Sequence, residues 1–311
     1  MVPPGSALPV VAVSCAPMTQ VTRVATCTTA VLLSVWTLSA QQKPKTRRIF
    51  MSVVDPANKP VLDLTAADFQ IKENQIARTV ASAVVNQPQR IALMVDNSDA
   101  SKSALTPLRA GILAFIDAIP ANDEIMLLTT GRQLRVRVAP TTDHKKLKDA
   151  VGIIYPDDGS PSVLFSGLTE TFNRFYRNVP NRWATFVILT TDGPENSNMN
   201  PKQFSQLVDA LNAREVRLHG IRLTGHGMGA QSDATLVLAQ NSGGHIDTLS
   251  VPNALPERLK ALGELIAQES EQLSRQYQIE YDTDATDLQS TIEVIISRVG
   301  LRPIVFAGRL K

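Results

Sequence analysis

The chain has 311 residues, enough for one large α/β domain and a smaller accessory unit. Apolar residues make up 43% of it and charged residues 19%, as in ordinary globular proteins with a sizeable core. The net charge is only +2, aromatic residues are 5%, and no dense Lys/Arg patch occurs, which argues against nucleic acid or an anionic membrane surface as a partner.

The first 40 residues differ in composition from the rest of the chain. They contain no acidic residue and one basic residue, Arg23, followed by an apolar stretch over 24–40 and then by QQKPKTRR. This order predicts a secretory signal peptide over 1–40, with Met18 as an alternative start. An uncleaved anchor is the other interpretation, although the stretch is shorter than the ~20 apolar residues of a spanning helix.

Both cysteines, Cys15 and Cys27, lie in this leader. The apolar run follows Cys27 instead of preceding it, which argues against a lipoprotein site. Cleavage near Ala40 leaves a chain without cysteine, hence without disulfides or thiolate metal ligands. The leader predicts an extracytoplasmic location, in the periplasm, at the cell surface or in the medium.

Residues 49–87 are predicted to be rich in β-strands, with the segments IFMSVVD, KPVLDL, DFQIKE and ARTVASAVV separated by turn-like residues. The apolar run IALMV (91–95) is typical of a strand buried on both faces. Apolar residues over 105–119 then recur at helical spacing until Pro120, which predicts a helix.

From residue 124 onward, predicted strands and helices alternate. The strands are 124–130, 134–139, 184–190 and REVRLHGIRL, and the helices lie near 143–152, 163–178, 201–214, 232–240 and 255–275. This alternation implies right-handed crossovers and a doubly wound, mainly parallel sheet. TGHGMGAQS (224–232) is interpreted as a strand-to-helix connection, because its glycines lack the spacing of a phosphate loop.

The chain ends in YQIEY, STIEVIIS and LRPIVFAGRL, which are predicted as three β-strands. The predicted organisation is therefore a leader (1–40), an N-terminal β segment (41–88), an α/β core (89–275) and a C-terminal β segment (276–311). Because β segments flank the core on both sides, we expect 47–88 and 276–309 to form one small β-sheet unit with the core inserted in it.

Two apolar strands run into an aspartate at their carboxyl ends, where ligands gather in open α/β sheets. Asp96 follows IALMV and Asp192 follows ATFVILTT, while the turn DDGSPS places Ser162 at the start of a predicted helix. Carboxylates and hydroxyls at one sheet edge form an oxygen-only ligand set. Such a set suits Mg²⁺, Mn²⁺ or Ca²⁺ better than zinc.

These segments resemble the metal-ion-dependent adhesion site of von Willebrand factor type A (VWA) domains, written Asp-x-Ser-x-Ser with a Thr and an Asp from two further loops. LMVDNSDAS resembles the first element, GSPSVLFSGL the GGT-x-L-x-x-x-L element, and FVILTTDG the LTDG element. The resemblance implies a VWA fold and a divalent cation, with Mg²⁺ preferred and Mn²⁺ or Ca²⁺ as alternatives. Its implied ligands are Asp96, Ser98, Ser162 and Asp192.

The flanking segments resemble a narrower group, the VWA-related proteins common in Acidobacteria. RRIFMSVVDPANKPVLDLTAADFQIKENQIA is similar to their V-x-V-x-D-x-x-G-x-P-V-x-x-L-x-x-x-D-F-x-V-x-E-D-G segment. LSRQYQIEYDTDA is similar to their L-x-x-Q-Y-x-L-x-Y tail. Together the resemblances cover residues 47–309.

The chain departs from the adhesion-site pattern at several positions. Ala100 stands at the third position of Asp-x-Ser-x-Ser, so one hydroxyl ligand is missing, and Asp99 replaces the usual Gly. Ser162 replaces Thr, and Ser101 lies one residue too late unless the loop shifts. Three further carboxylates are candidates to complete the site: Asp99, Asp157 and Asp158.

Each candidate ligand also has a structural interpretation. Ser98 and Ser162 precede predicted helices and are equally candidates for N-caps, and for Ser101 the N-cap is the preferred interpretation. Asp96 and Asp192 suit the turns that follow buried strands. The four histidines, which lack metal-ligand spacing, are interpreted as surface or loop residues: His144, His219, His226 and His245.

The resemblance implies a binding module in which the cation accepts an acidic side chain of a protein partner. A metal-free structural or interaction protein of the same fold is the alternative, favoured by Ala100 and Asp99. No Gly-x-Ser-x-Gly elbow occurs and no histidine is placed to activate Ser98 or Ser162, which argues against an enzyme. No nucleic acid and no membrane contact beyond the possible N-terminal anchor are expected.

Overall fold

The structure is a computed structural model that describes residues 45–179, 182–224, 230–284 and 290–306. The predicted leader with Arg23 and both cysteines lies outside the described residues, as does the part of the glycine-rich connection at 225–229 that contains His226. Among the described residues, no helix combines the length and the apolar character needed to cross a bilayer.

Four strands precede the α/β core: β1 (Lys45–Val54), β2 (Phe69–Glu73), β3 (Ile76–Arg78) and β4 (Val80–Val85). The segment KPVLDL, predicted as a strand, makes only an isolated bridge between Val54 and Pro60. That prediction is wrong, because Pro60 has no amide hydrogen to donate to a ladder. The chain turns there, with Asn58 in the left-handed region at φ 60°.

The core follows the predicted alternation. Its elements are β5 (Gln87–Val95), α1 (Leu105–Ala118), β6 (Glu124–Thr129), β7 (Arg135–Thr141), α2 (His144–Val151), α3 (Leu164–Phe175), β8 (Arg182–Thr190), α4 (Pro201–Ala213), β9 (Arg217–Leu223), α5 (Ala230–Ser242), β10 (Ile246–Leu249) and α6 (Leu255–Leu273). The sequence did not predict β10, a strand of four residues at the sheet edge.

The core strands form a six-stranded sheet in the order β10-β9-β8-β5-β6-β7. All neighbours are parallel except β7, which is antiparallel to β6. In β5, Leu93 contributes to one apolar cluster with α1, α2 and α6, while Met94 contributes to another with α3, α4 and α5. Helices therefore cover both faces, and the predicted doubly wound, mainly parallel α/β fold is confirmed.

Three strands follow the core: β11 (Tyr277–Thr283), β12 (Ile292–Ile296) and β13 (Arg302–Phe306). They pair with the N-terminal strands in two antiparallel sheets, β13-β1-β11-β4 and β12-β2-β3. The two flanking segments thus form the expected β-sheet unit, with a third apolar cluster of their own. The exact domain boundaries stay a prediction, and the one at 88/89 falls within β5.

One buried carboxylate links strands of both flanking segments. Glu73 at the end of β2 is fully buried and forms ion pairs with Arg47 of β1 and Arg78 beside it. Its other contacts are the hydroxyls of Thr283 at 2.6 Å and Tyr281 at 3.4 Å, both in β11. A buried charge is tolerated when it is paired and hydrogen-bonded in this way.

The expectation that all four histidines lie at the surface or in loops is wrong for His219. It lies in β9, which has a strand neighbour on each side, and its side chain is fully buried. Burial first, then the positive charges of Arg217 and His245, lower the pKa of His219 to about 3. Its Nδ1 accepts a hydrogen bond from the backbone amide of His245 at 3.1 Å. The alternation of residues along the β9 sequence does not by itself show that both faces of this strand are buried.

Candidate metal centre

Asp96 and Asp192 leave the carboxyl ends of two neighbouring strands. The parallel strands β5 and β8 pair with Val95 opposite Leu189, and the amide of Asp96 donates to the carbonyl of Leu189 at 2.9 Å. Asp96 directly follows β5 and is buried, whereas Asp192 follows β8 after one residue and is half-buried. Both therefore lie at the sheet edge where ligands of this fold class gather.

Donors from two loops and from the first turn of α5 hold the carboxylate of Asp96. Its Oδ1 accepts from the amide of Ser98 at 2.9 Å. Its Oδ2 accepts from the hydroxyl of Thr191, from the amide of Thr191 at 3.3 Å, and from Nε2 of Gln231 at 3.0 Å. These bonds fix the orientation of a carboxylate that is only 2% exposed.

The hydroxyl of Ser98 is fully buried, and its Oγ has no hydrogen-bond partner among the described residues. Ser98 precedes a short 3₁₀ helix (Asp99–Ala104) but makes no side-chain capping bond to it. A Cβ built on Gly193 would lie 3.2 Å from Ser98 Oγ, so the loop after β8 reaches this hydroxyl. A buried polar atom without a partner is costly, which points to a ligand absent from the protein itself.

Ser162 is fully buried between two loops. It forms isolated β-bridges with Gly131 and with Glu195, and its amide donates to the carbonyl of Pro194 at 2.8 Å. Its Oγ lies 3.3 Å from Oγ1 of Thr130. The N-cap of α3 is Val163, so Ser162 does not cap that helix. The structure thus holds the Ser162 hydroxyl beside the tip of β6.

The residues considered as substitutes for the missing third hydroxyl have other contacts. Ser101 donates its hydroxyl to the carbonyl of Ser98 at 2.8 Å. It caps no helix, because the N-cap of α1 is Ala104. Ala100 itself faces the loop after β8, where a Cβ on Gly193 would lie 2.8 Å from the Cβ of Ala100.

The three additional acidic residues contact cationic side chains. Asp99 pairs with Lys102 at 2.6 Å and accepts from the amide of Gly159, and the same Lys102 pairs with Asp158 at 3.1 Å. Asp157 pairs with Arg132 at 3.2 Å. These acids thus take part in a network of charges around the site.

Sequence reasoning missed Asn97, the residue between Asp96 and Ser98. Asn97 is 2% exposed, and its Oδ1 accepts from the amide of Gly131 while its Nδ2 donates to the carbonyl of Tyr155, both at 2.8 Å. A Cβ on Gly131 would lie 2.8 Å from Asn97 Oδ1, so this position requires glycine. The signal available in sequence was an Asn in a strand-end loop, which is too common to single out.

The donor set decides whether a divalent cation fits. Among the described residues, no group of three or more His, Cys, Asp or Glu side chains is arranged to hold a metal, so a site here depends on hydroxyl oxygens. The unpartnered hydroxyl of Ser98, the hydroxyl of Ser162 and the carboxylates of Asp96 and Asp192 are hard oxygen donors of the kind that Mg²⁺ and Ca²⁺ prefer. The residues present therefore fit such an ion, with one hydroxyl fewer because of Ala100.

A depression of 520 Å³ lies beside these loops. Residues 99–100, 159–161 and 194–196 line it, so the loops after β5, before α3 and after β8 all contribute. The depression offers room for a side chain from outside next to the candidate ligands.

Comparisons with known proteins bear on the fold. No protein-family model and no curated protein matches the sequence. A solved structure of a von Willebrand factor type A protein from Catenulispora acidiphila is 11% identical, with a TM-score of 0.52, over 86% of this chain and 72% of that chain.

Two further solved structures are similar at lower scores. Proximal thread matrix protein 1 from the mussel byssus, with a zinc occupied MIDAS motif, has a TM-score of 0.48 and 14% identity over 65% of this chain and 50% of that chain. BatB from Bacteroides thetaiotaomicron has a TM-score of 0.44 and 13% identity over 59% of this chain and 99% of that chain. The strand order, the helices on both faces and the likeness to the Catenulispora structure show that this chain has a von Willebrand factor type A domain fold.

Proposed function

We propose that this chain is a protein-interaction module that binds an acidic side chain of a protein partner through a divalent cation. The observation that carries the proposal is the hydroxyl of Ser98, which is fully buried without a partner among the described residues beside the Asp96 carboxylate. A cation ligand is the role that best accounts for such an atom at the tip of β5.

The four candidate ligands have two different roles in holding the ion. Ser98 and Ser162 supply neutral hydroxyl oxygens, while Asp96 and Asp192 supply the negative charge that offsets the ion. A divalent cation held there would accept a partner's carboxylate as a further oxygen ligand. Mg²⁺ is the preferred ion, and Mn²⁺ and Ca²⁺ share its preference for oxygen.

The surroundings of the site support docking of a partner. Tyr155 is 61% exposed beside the site, with the guanidinium of Arg109 4.8 Å from its ring centre. Its carbonyl is held by Asn97, so this aromatic side chain is attached to the same loop network as the candidate ligands. Exposed aromatic residues on a fixed backbone are frequent anchors in protein interfaces.

The proposal includes no catalytic role. The described neighbour of the Ser162 hydroxyl is the hydroxyl of Thr130, and no basic side chain is described beside Ser98 that could activate it. We also propose an extracytoplasmic location on the basis of the leader, and no nucleic acid or membrane surface as a partner.

A titration with Mg²⁺, Mn²⁺ and Ca²⁺ tests the cation. We expect a rise in melting temperature at millimolar ion in the wild type, and its loss in Asp96→Asn and Asp192→Asn. Asp149→Asn is the control, because Asp149 is 66% exposed and pairs with Lys145 in a surface ion pair. A wild type that does not respond to any of the three ions would contradict the cation part of the proposal.

The partner is tested by affinity capture from the native envelope fraction, with and without EDTA. Capture that EDTA abolishes, and that Asp96→Asn also abolishes, is the expected result. Capture that persists in EDTA would instead favour the second candidate function, a metal-free interaction module. The observation in favour of that candidate is Ala100, which removes a hydroxyl from the ligand set.

A further inference from the structure

Gln231, in the first turn of α5, is fully buried against the site. Its Nε2 lies 2.9 Å from the carbonyl of Thr191, 3.0 Å from Oδ2 of Asp96 and 3.2 Å from the carbonyl of Gly193. All three neighbours are acceptors, so the amide nitrogen, not the amide oxygen, must face them. The sequence motifs do not include this residue.

The amide of Gln231 is one of three donors that converge on Oδ2 of Asp96. A carboxylate has about four lone-pair sites. The four described donors to Asp96 are the amide of Ser98, the amide and hydroxyl of Thr191, and Nε2 of Gln231. Three of them share Oδ2 and one binds Oδ1, so an ion would have to displace a donor from Oδ2 or bind at Oδ1.

Gln231 also partly compensates the charge of Asp96. No Lys, Arg or His side chain contacts Asp96 in the hydrogen bonds and ion pairs of the described residues, so the positive ends of neutral dipoles provide the compensation. In a buried site these dipoles act through a low effective dielectric. A cation at the same carboxylate would have to compete with them.

We infer that Gln231 is a positioning residue that weakens cation binding, by directing the Asp96 carboxylate toward α5 and by supplying the partial positive charge that a cation would otherwise supply. The inference rests on the proposed function, because it concerns the affinity of the same site. Of the four donors to Asp96, Gln231 provides the only one that lies outside the loops after β5 and β8.

The test measures the dissociation constant for Mn²⁺ by titration calorimetry on the full chain. Gln231→Met keeps the length and apolar volume but removes the donors, and we expect Mn²⁺ to bind about tenfold more tightly because one donor fewer competes for Oδ2 of Asp96. Gln231→Glu replaces the amide donor by a carboxylate and is expected to raise the affinity further. Gln276→Met is the control, since Gln276 is a buried glutamine (6% exposed) that follows α6 and lies outside the loops of the site.

The outcomes separate the inference from the proposed function. Tighter binding in Gln231→Met than in the wild type and in Gln276→Met supports the inference. Equal Mn²⁺ affinities in the wild type, Gln231→Met and Gln276→Met overturn the inference but do not contradict the proposed cation site. Mn²⁺ binding that occurs in the Gln231 variants alone supports the inference and contradicts cation use by the natural chain. If neither the wild type nor any variant binds Mn²⁺, both fail. If Gln231→Met does not fold, Gln231→Leu, which also lacks the amide donors and adds no carboxylate, is compared with the wild type instead.

Discussion

The side-chain oxygen of Asn97 accepts a hydrogen bond from the backbone amide of Gly131 at 2.8 Å and so joins the loop after β5 to the tip of β6. The amide nitrogen of the same side chain donates to the carbonyl of Tyr155 at 2.8 Å. The backbone carbonyl of Asn97 accepts from the amide of Asp157 at 2.7 Å. One buried side chain thereby fixes the loop that carries Ser98 relative to two others.

Replacing Asn97 by Ala is expected to lower the free energy of unfolding by about 2–3 kcal/mol, because a buried amide and a buried carbonyl lose their partners. Urea denaturation of the variant and the wild type measures the change. Asn173→Ala is the matched control, since the exposed Asn173 accepts a bond from Arg177 just beyond the end of α3, and a change within about 0.5 kcal/mol is expected there. Equal losses in the two variants would contradict the role assigned to Asn97.

Ala100→Ser restores a hydroxyl at the third position of the motif. Because Ala100 lies against Gly193 in the loop after β8, the new hydroxyl enters the region of the candidate ligands. If a cation binds there, we expect its affinity to rise about tenfold, which corresponds to about 1.4 kcal/mol. Calorimetric titration with Mg²⁺ measures the change.

Ala77→Ser is the control for this substitution, because Ala77 is exposed in β3 of the flanking β-sheet unit. Its Mg²⁺ affinity should equal that of the wild type. An Ala100→Ser variant that folds normally but has unchanged affinity would show that position 100 does not reach the ion.

The sequence was sufficient for those elements whose signal is local. The helical spacing of apolar residues predicted α1, and the continuous apolar run predicted β5. Both elements are present in the structure, where α1 buries one face and β5 buries both. The edge strand β10 has four residues and carries no such period. KPVLDL has the composition of a strand, but Pro60 cannot donate to a ladder.

The residues of the candidate site also separate into those with a local sequence signal and those without one. Asp96, Ser98, Ser162 and Asp192 could be named because each stands next to a strand end or a turn that is visible in the sequence. Asn97 and Gln231 could not, because their partners lie 34 and 135 residues away in the chain. Only the folded structure brings the first turn of α5 to the carboxylate that follows β5.

The burial of His219 predicts a pH dependence of stability. Because the pKa of His219 is lowered to about 3 in the folded state, the unfolded chain binds more protons wherever the pH lies between about 3 and 6.5. The contribution of His219 is therefore fully present above pH 6.5 and is lost as the pH falls. Between pH 6.5 and pH 5 the loss is about 2 kcal/mol.

Two charged neighbours of His219 compensate each other: Glu269 lies 3.6 Å from its Nε2 and is paired with Arg217 at 2.9 Å. His219→Leu removes the titrating group, so its free energy of unfolding should depend less steeply on pH between 5 and 6.5 than that of the wild type. Urea denaturation at several pH values measures the two slopes. The absolute stability also falls, because the amide of His245 loses its acceptor, so only a slope equal to that of the wild type would refute the prediction.

Glu73 provides the last prediction, which concerns the flanking β-sheet unit. Its carboxylate is fully buried and joins Arg47 of β1 and Arg78 of β3 to the hydroxyl of Thr283 in β11. Glu73→Ala leaves two guanidinium groups without their shared partner, at side chains that are only 12% and 11% exposed. The expected loss in the free energy of unfolding is about 3–5 kcal/mol, measured by urea denaturation.

Glu293→Ala is the matched control for Glu73→Ala. Glu293 lies on the adjacent strand β12, is 45% exposed and pairs with Lys72 at 3.3 Å, so its removal should cost less than about 1 kcal/mol. A further variant, Glu73→Gln, keeps the volume and the acceptor oxygen but removes the charge, and its loss should lie between the other two. If Glu73→Ala is no less stable than Glu293→Ala, the buried carboxylate does not hold the N- and C-terminal strands together, and their pairing must rest on the backbone ladders and the apolar cluster alone.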